Sequence, residues 1–217
     1  SGIHLMRAES PGPSVGKFTP HLRETAIILY GIYILLTVLC IVFLLIGNLP
    51  LFDSLCIAFG TAGTGGFGIL NSSIADYSAY IQVVITVFML IFGVDFSIYY
   101  LIVLRKFKSV LKSDEFKAYI GIVAVSIILI TINCLHLFSN VWETLKHSAF
   151  QVASIITTTG YATTDFDLWP ALSKTILVIL MFVGACAGST GGGMKVSRIM
   201  ILLKSITKEI KILAHPR

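Results

Sequence analysis

Four long apolar stretches decide what kind of protein this sequence can form. Residues 26–47, 79–104 and 118–138, and a fourth stretch from Ala171, match or approach the roughly 20 apolar residues that a helix needs to cross a bilayer. The 217-residue chain is 56% hydrophobic and 12% charged, with a mean hydropathy of +0.90, whereas soluble domains carry about 25% charged residues. The sequence therefore predicts an all-α polytopic membrane protein in a lipid bilayer. It argues against a soluble enzyme, a secreted disulfide scaffold and a nucleic-acid-binding protein.

Two shorter apolar segments, residues 51–59 and 142–156, lie between the long ones. Each is too short or too polar to span, and each runs into a segment rich in glycine and threonine. Such pieces are typical of re-entrant half-helices, which enter the membrane without crossing it. The cysteines (Cys40, Cys56, Cys134 and Cys186) lie in apolar runs without a CxxC spacing, and we interpret them as buried small hydrophobes.

Lysine and arginine positions predict the orientation. With the amino terminus inside, only Lys146 and Lys174 of the 16 basic residues lie outside. The excess of basic residues on one side predicts cytoplasmic amino and carboxyl ends in a multi-pass plasma (inner) membrane protein. Both half-helices then open to the exterior.

The two halves of the chain repeat the same pattern. Gly66-Phe67 and Gly160-Tyr161 are 94 residues apart, whereas the half-helix starts at residues 52 and 142 are 90 apart. The difference of four residues predicts that the second half-helix is one turn longer. Each half predicts a membrane helix, a pore helix, a filter segment and a second membrane helix, in a parallel repeat.

The filter segments, residues 64–68 and 158–162, carry the predicted chemistry. Non-helical backbone at membrane depth is tolerated where it is buried in protein or lines an aqueous path, so its carbonyls can face a cation. We predict cation sites at the backbone carbonyls of Thr64, Gly65, Gly66, Thr158, Thr159 and Gly160. An extended strand of five residues spans about 15 Å. The aromatic residues Phe67 and Tyr161 are expected to anchor the strands on surrounding helices.

The last helix is predicted to break. Residues 171–207 would span about 55 Å as one helix, which exceeds one crossing. The break is expected at the glycine cluster formed by Gly188, Ser189, Thr190, Gly191, Gly192 and Gly193, which we interpret as a gate. This cluster is superficially similar to a phosphate-binding loop, but the Gly-Lys-Ser/Thr core is missing. Packing through Gly184 and Gly188 is compatible with gating.

Several polar residues have two open interpretations. Asp95 is an acid within a spanning stretch, and we favour a hydrogen-bonded structural role with hydroxyl partners over a place in an ion path. Asn133 and His136 are expected to bond between helices, and His147 to pack rather than relay protons. Lys195 and Arg198 either project into an inner vestibule or extend to the interface.

The outer side carries acids and an aromatic residue. Asp165 and Asp167 are candidates for concentrating cations at the outer mouth. Trp169 is expected to be an interfacial anchor.

These motifs resemble the Trk/Ktr/HKT family of potassium transporters, in particular the TrkH-like membrane subunit. The residues that carry the resemblance are the leading stretch 7–13, the filter runs 61–67 and 157–164, the Asp165–Pro170 sequence DFDLWP, and Ala185–Gly193, ACAGSTGGG. The match extends over essentially the whole chain. Family members carry four such units, so the resemblance implies that this chain is a fragment with the second and third units.

The resemblance also implies partners and selectivity. It implies missing first and fourth pore units, a homodimer of the full subunit, and a cytoplasmic nucleotide-binding RCK/KTN regulatory subunit. We expect no organic cofactor and no enzymatic activity. Gly65 and Thr159 replace the valine of the potassium-channel filter, and Ala162 replaces its second glycine, which implies looser selectivity. Gly66 and Gly160, where sodium-carrying members tend to have serine, favour potassium.

The predicted domains follow from these assignments. They are a cytoplasmic leading segment (1–25), a first membrane-pore-membrane unit (26–105), a cytoplasmic loop (106–117), and a second unit (118–217) with an intramembrane loop (185–193) and a cytoplasmic tail. Three alternatives stay open: a two-unit potassium channel complete as a homodimer, a sodium-permeable member of the same family and, more remotely, a membrane-embedded enzyme.

Overall fold

The computed structural model describes residues 22–214, with side chains described from 26 to 210. Within this range the chain is helical, with one isolated backbone bridge between Val183 and Met194 and no strand. The helices are α1 (Leu22–Ile46), α2 (Leu51–Ala62), α3 (Ala79–Phe92), α4 (Phe96–Val103), α5 (Phe107–Lys112), α6 (Asp114–Cys134), α7 (Val141–Ile156), α8 (Ala171–Phe182) and α9 (Val196–Ala214), with a 3-10 turn at Phe166–Leu168. The predicted leading stretch 7–13 lies outside the described residues.

Among the described residues, two helices are each long and apolar enough to cross a membrane, and the bent pair α3–α4 would make a third span if it counts as one. The two helices contain the 21-residue segments Ala26–Ile46 and Asp114–Cys134. The second begins four residues before the predicted stretch 118–138, because the Ser113 hydroxyl caps it by accepting from the Phe116 N–H. The predicted cytoplasmic loop 106–117 is therefore partly helical, since it contains α5 and the first turn of α6.

We predicted one continuous helix over residues 79–104, but the structure has two helices there. Helices α3 and α4 meet at a bend of 90° at residues 93–95. The Asp95 carboxylate caps α4 by accepting from the Ser97 N–H at 2.9 Å. The bend leaves helix-end carbonyls that need partners, and a distant segment supplies them.

The half-helices and the broken last helix are where the sequence places them. Helix α2 has 12 residues and α7 has 16, so the predicted extra turn is present. Helix α8 ends at Phe182 and α9 begins at Val196. Residues 183–195 between them, here called the glycine loop, contain the predicted break at 188–193.

Two buried apolar clusters hold the helices together. One is built mainly from α1, α2 and α3, and also takes in Phe150 and Tyr161 from the second half of the chain. The other is built mainly from α6, α7 and α8, and takes in Val94 and Ile98 from the first half. Because each cluster includes residues of the other half, the two halves form one packed body.

Candidate functional site

The glycine segments that follow α2 and α7 have the same backbone hydrogen bonds. In the first segment (residues 63–68), the Gly65 N–H donates to the Gly60 carbonyl at 2.8 Å. In the second (residues 157–162), the Thr159 N–H donates to the Ser154 carbonyl at 2.9 Å. These pairs are 94 residues apart, which is the spacing of the Gly-aromatic motifs.

Both segments also alternate in backbone handedness. Thr64 and Gly66 have φ of 52° and 68°, and Thr158 and Gly160 have φ of 58° and 91°. The residues between them, Gly65 and Thr159, do not have positive φ. The extended strand that we predicted is therefore wrong in detail, because each segment curls at every second residue.

The two threonines at positive φ are unusual, since β-branched residues avoid this region. Their hydroxyls make the same local bond: Thr64 Oγ1 donates to the Gly63 carbonyl at 2.8 Å, and Thr158 Oγ1 to the Thr157 carbonyl at 2.7 Å. Strained backbone of this kind costs about 1–3 kcal/mol per residue and clusters at functional sites.

The aromatic residues of the two motifs have different surroundings. Tyr161 is fully buried, and its hydroxyl donates to the Ile57 carbonyl on α2 at 3.3 Å. Phe67 is 85% exposed. The predicted anchoring role is thus wrong for Phe67 within the described residues, because none of their helices covers its ring.

The glycine loop lies against the threonines at the start of both glycine segments. Thr64 Oγ1 shares its one proton between the Gly63 carbonyl and the Thr190 carbonyl, which is 3.2 Å away, and the Gly192 N–H donates to Thr158 Oγ1 at 2.7 Å. A side chain on Gly192 would come within 3.0 Å of the Thr158 hydroxyl. Contact with both threonines therefore requires a small residue in the loop.

The same loop supplies partners to the bend between α3 and α4. The Cys186 N–H donates to the Gly93 carbonyl at 3.0 Å, the Thr190 N–H to the Phe92 carbonyl at 3.3 Å, and the Phe96 N–H to the Gly188 carbonyl at 3.1 Å. The bend and the loop thus satisfy each other's backbone groups, as buried backbone requires. Sequence reasoning missed this pairing, and Gly93 beside Asp95 was its only local signal.

Of the predicted vestibule cations, Lys195 bonds to the loop and Arg198 does not. The Lys195 ammonium donates to the Gly191 carbonyl, whereas Arg198 is exposed on α9. Sequence reasoning also missed Glu115, at the start of α6, whose carboxylate accepts from the Ala187 N–H in the loop at 2.7 Å.

The remaining polar candidates bond to groups other than the residues at the proposed ion sites. Asn133 donates to the Ser173 hydroxyl at 2.8 Å, which is the predicted bond between helices, whereas His136 is exposed. His147 bonds to Thr163 at 2.8 Å and stacks on Phe138. Asp95 accepts from the Ser97 backbone N–H and also bonds to the Ser97 side chain, which is one of its expected hydroxyl partners. The Tyr99 hydroxyl instead donates to the Ile91 carbonyl.

The acids predicted for the outer mouth, Asp165 and Asp167, are exposed, and Asp165 caps the 3-10 turn by accepting from the Asp167 N–H at 3.0 Å. Trp169 is only 3% exposed and belongs to the second apolar cluster. Its prediction as an interfacial anchor is wrong, because its ring packs among α6, α7 and α8.

Comparison with known proteins gives a consistent result over the whole chain. The sequence profile of the TrkH family, described as "Cation transport protein", matches residues 1–131 and 118–217. The Trk system potassium uptake protein TrkH of Salmonella typhimurium is 37% identical over 222 residues, covering 99% of this chain and 46% of that protein. TrkG of Escherichia coli, also named a Trk system potassium uptake protein, is 34% identical over 100% of the chain and 45% of its own length.

A solved structure agrees with the sequence comparisons. The crystal structure of the potassium transporter TrkH from Vibrio parahaemolyticus superposes with a TM-score of 0.88 at 34% identity, over 99% of this chain and 47% of that one. The chain thus spans slightly less than half the length of these relatives.

Proposed function

The chain belongs to the TrkH family of cation transport proteins, and we propose on this basis that it contributes two units to a potassium uptake pathway. In this proposal the carbonyls of residues 64–66 and 158–160 replace the hydration shell of the ion. The family is one of membrane cation transporters and not a class of enzymes. The relatives are named potassium uptake proteins, which supports potassium as the cargo.

One observation carries the proposal: positive φ recurs at every second residue of both glycine segments, at positions 64 and 66 and again at 158 and 160. In a regular strand, successive peptide groups point to opposite sides. When left- and right-handed residues alternate, successive groups turn toward the same side. A row of carbonyls on one side is what a dehydrated cation requires.

The dipoles of the two half-helices add an electrostatic field that favours a cation. Helices α2 and α7 end at Ala62 and Ile156, immediately before the glycine segments. The carboxyl end of a helix carries about half a negative elementary charge. Both ends therefore favour a cation at the inner end of the pathway.

Two units do not surround an ion, and contacts within the chain indicate where further units would pack. Tyr161 of the second segment packs on α2 of the first unit, and a Cβ on Gly60 would overlap its hydroxyl. Phe67, at the equivalent position of the first segment, is exposed. We assign the Phe67 ring to the half-helix of a preceding unit.

The second unit has a cavity next to its glycine segment that is open for a further unit. A cavity of about 210 Å³ is lined by Ser154, Ile155, Thr158, Gly160 and Met181. Ser154 and Gly160 lie 94 residues after Gly60 and Gly66, which in the first unit contact the second segment. The cavity is therefore the surface on which a following unit would pack.

The glycine loop is proposed as the gate, because it lies between the two inner threonines and fills the space beneath them. Its bonds to Thr64 and Thr158 support a position across the inner end of the proposed pathway. Residues 185–193 remain our assignment for the intramembrane loop. The domain boundaries, with the first unit at 26–105 and the second at 118–217, remain predictions as well.

Further assignments follow the family resemblance. We propose a homodimer of the full subunit in the plasma membrane, with cytoplasmic termini, and a cytoplasmic RCK/KTN nucleotide-binding partner. The basic residues between 105 and 117 and those of α9 are candidate contacts for that partner. Anionic lipid headgroups compete for the same cations.

The filter is tested by uptake into cells that express the full-length protein to which we assign this chain, here called the parent protein. We expect rubidium uptake to exceed sodium uptake, and Gly160→Ser to lower that preference about tenfold, a change of about 1.4 kcal/mol. A side chain at Gly160 meets no atom within 4 Å, so a serine hydroxyl reaches the pathway without a clash, although φ of 91° strains the backbone. Gly160→Ala carries the same strain without a hydroxyl, so it is the matched control and is expected to keep the rubidium preference. Equal rubidium and sodium uptake by the unsubstituted protein would contradict potassium selectivity.

The homodimer alternative has its own test. We expect the 217-residue chain, purified and reconstituted alone, to conduct no rubidium, because two units leave the ring of carbonyls open. Native mass and rubidium flux are measured on the same preparation. Flux from particles with the mass of two chains would favour a two-unit channel over a four-unit subunit.

A further inference from the structure

The Glu115 carboxylate, at the start of α6, bonds to backbone groups on both sides of the glycine cluster at 188–193. Its Oε1 accepts from the Ala187 N–H at 2.7 Å and from the Ser197 N–H at 3.3 Å. Ala187 is in the loop, and Ser197 is in the first turn of α9. One side chain thus bonds to the backbone on either side of Gly188–Gly193.

These two N–H groups need an acceptor. The first N–H groups of a helix have no partner within it, and Ser197 is among those of α9. The amino end of α9 also carries partial positive charge, which favours a carboxylate. Unpaired backbone groups at membrane depth cost several kcal/mol, so the loop's position depends on this acceptor.

The neighbouring acid behaves differently. Asp114 is 68% exposed, and it lies 3.6 Å from Lys204, which is itself exposed. Exposed ion pairs contribute little to stability. Asp114 has the same charge and lies on the same helix turn, but its carboxylate pairs with Lys204 on α9 rather than with the glycine loop, so it is a matched control for Glu115.

Glu115 also lies at the end of the basic segment formed by residues 105–113. That segment runs from the end of α4 through α5 to Ser113, and α6 begins at the next residue. A displacement of the segment would move the first turn of α6, and with it the carboxylate. The position connects the inner surface of the protein to the glycine loop.

We propose that Glu115 is a positioning residue, a latch that holds the glycine loop closed and releases it when the segment 105–113 moves. This proposal rests on the assignment of the loop as a gate. Because the latch acts by holding the closed position, its loss raises flux. A general structural defect would lower flux.

The test uses the parent protein with Glu115→Ala, Glu115→Gln and Asp114→Asn. Two readouts are taken: rubidium flux, and the rate at which a thiol reagent labels Cys186, with all other cysteines replaced. Cys186 is fully buried in the loop, one residue before Ala187, so it reports loop movement independently of transport. Loss of a charged acceptor corresponds to about a tenfold shift in population.

We expect Glu115→Ala to raise both readouts about tenfold, since no acceptor remains. For Glu115→Gln we expect flux and labelling rates between those of Glu115→Ala and the unsubstituted protein, because the amide oxygen still accepts a hydrogen bond but carries no charge. Asp114→Asn is expected to match the unsubstituted protein. Faster labelling with unchanged flux would support the latch and overturn the loop's role as a gate. Unchanged labelling in both Glu115 variants would overturn the latch, whatever the flux. If Glu115→Ala fails to fold, the result for Glu115→Gln decides.

Discussion

Alanine in place of Gly66 is expected to abolish rubidium uptake by the parent protein. Gly66 has φ of 68°, and a Cβ at this position would overlap the carbonyl oxygen of Thr159 in the other glycine segment. The obstructing atom is backbone, which cannot rotate away as a flexible side chain can. The substitution therefore forces the two segments apart at the proposed ion sites. Uptake is measured per amount of protein in the membrane.

Two substitutions in the same segments are graded controls. A Cβ at Gly65 makes ordinary contacts with the Phe67 ring at 3.5 Å and the Gly60 carbonyl oxygen at 4.0 Å, and this position does not have positive φ, so Gly65→Ala is expected to keep uptake within about twofold of normal. Gly160→Ala has open space around it but φ of 91°, so it carries strain without a clash and is expected to reduce uptake partially. Uptake by Gly66→Ala at half the normal rate or more would show that the segments are not packed as described.

Deletion of residues 188–193 from the parent protein is expected to raise rubidium flux by about tenfold, equivalent to lowering the barrier by about 1.4 kcal/mol. The deletion removes the backbone that contacts Thr64 and Thr158 at the inner end of the pathway. Water can then occupy that space and hydrate the ion. Flux is measured in vesicles at equal protein content, so that changes in expression do not enter.

Gly121→Ala is the control for handling and expression, because a Cβ at Gly121 in α6 meets no atom within 4 Å. It is expected to leave flux unchanged. An unchanged flux in the deletion variant, with normal amounts in the membrane, would remove the glycine loop from the permeation path. The role of Glu115 in holding the loop would then be judged from the rate of Cys186 labelling alone.

The features that sequence analysis located correctly share a property: each is a matter of local composition. The run of apolar residues in α1 makes it long enough to span, as predicted. The glycine cluster at 188–193 interrupts the last helix, as predicted, because four glycines in six residues disfavour helix. The extra turn of α7 also followed from counting residues between motifs.

The features that sequence analysis missed depend on partners distant in the chain. The bend at residues 93–95 lies inside the apolar stretch 79–104, and the Phe92 and Gly93 carbonyls beside it accept from Thr190 and Cys186. Glu115 lies in the predicted cytoplasmic loop 106–117, and the sequence gives no sign of its bond to the glycine loop. Its partner Ala187 is 72 residues away.

Phe67 and Tyr161 show the same limit. Both follow a glycine at the same register, and the sequence predicts the same role for them. One ring is buried and the other is 85% exposed, because only Tyr161 has a half-helix of another unit beside it. Burial is a property of the assembly around a residue and not of its motif.

Hydropathy, charge bias and glycine content by themselves determined that this chain is a helical membrane protein with two half-helices, two glycine segments and a broken last helix. They act residue by residue along the chain, so they can be read without coordinates. Only the tertiary structure decided which carbonyls the glycine loop satisfies, which acid holds it, and which aromatic ring is covered. Those choices arise because backbone groups inside a membrane must find partners, and the nearest partners in space are far apart in sequence.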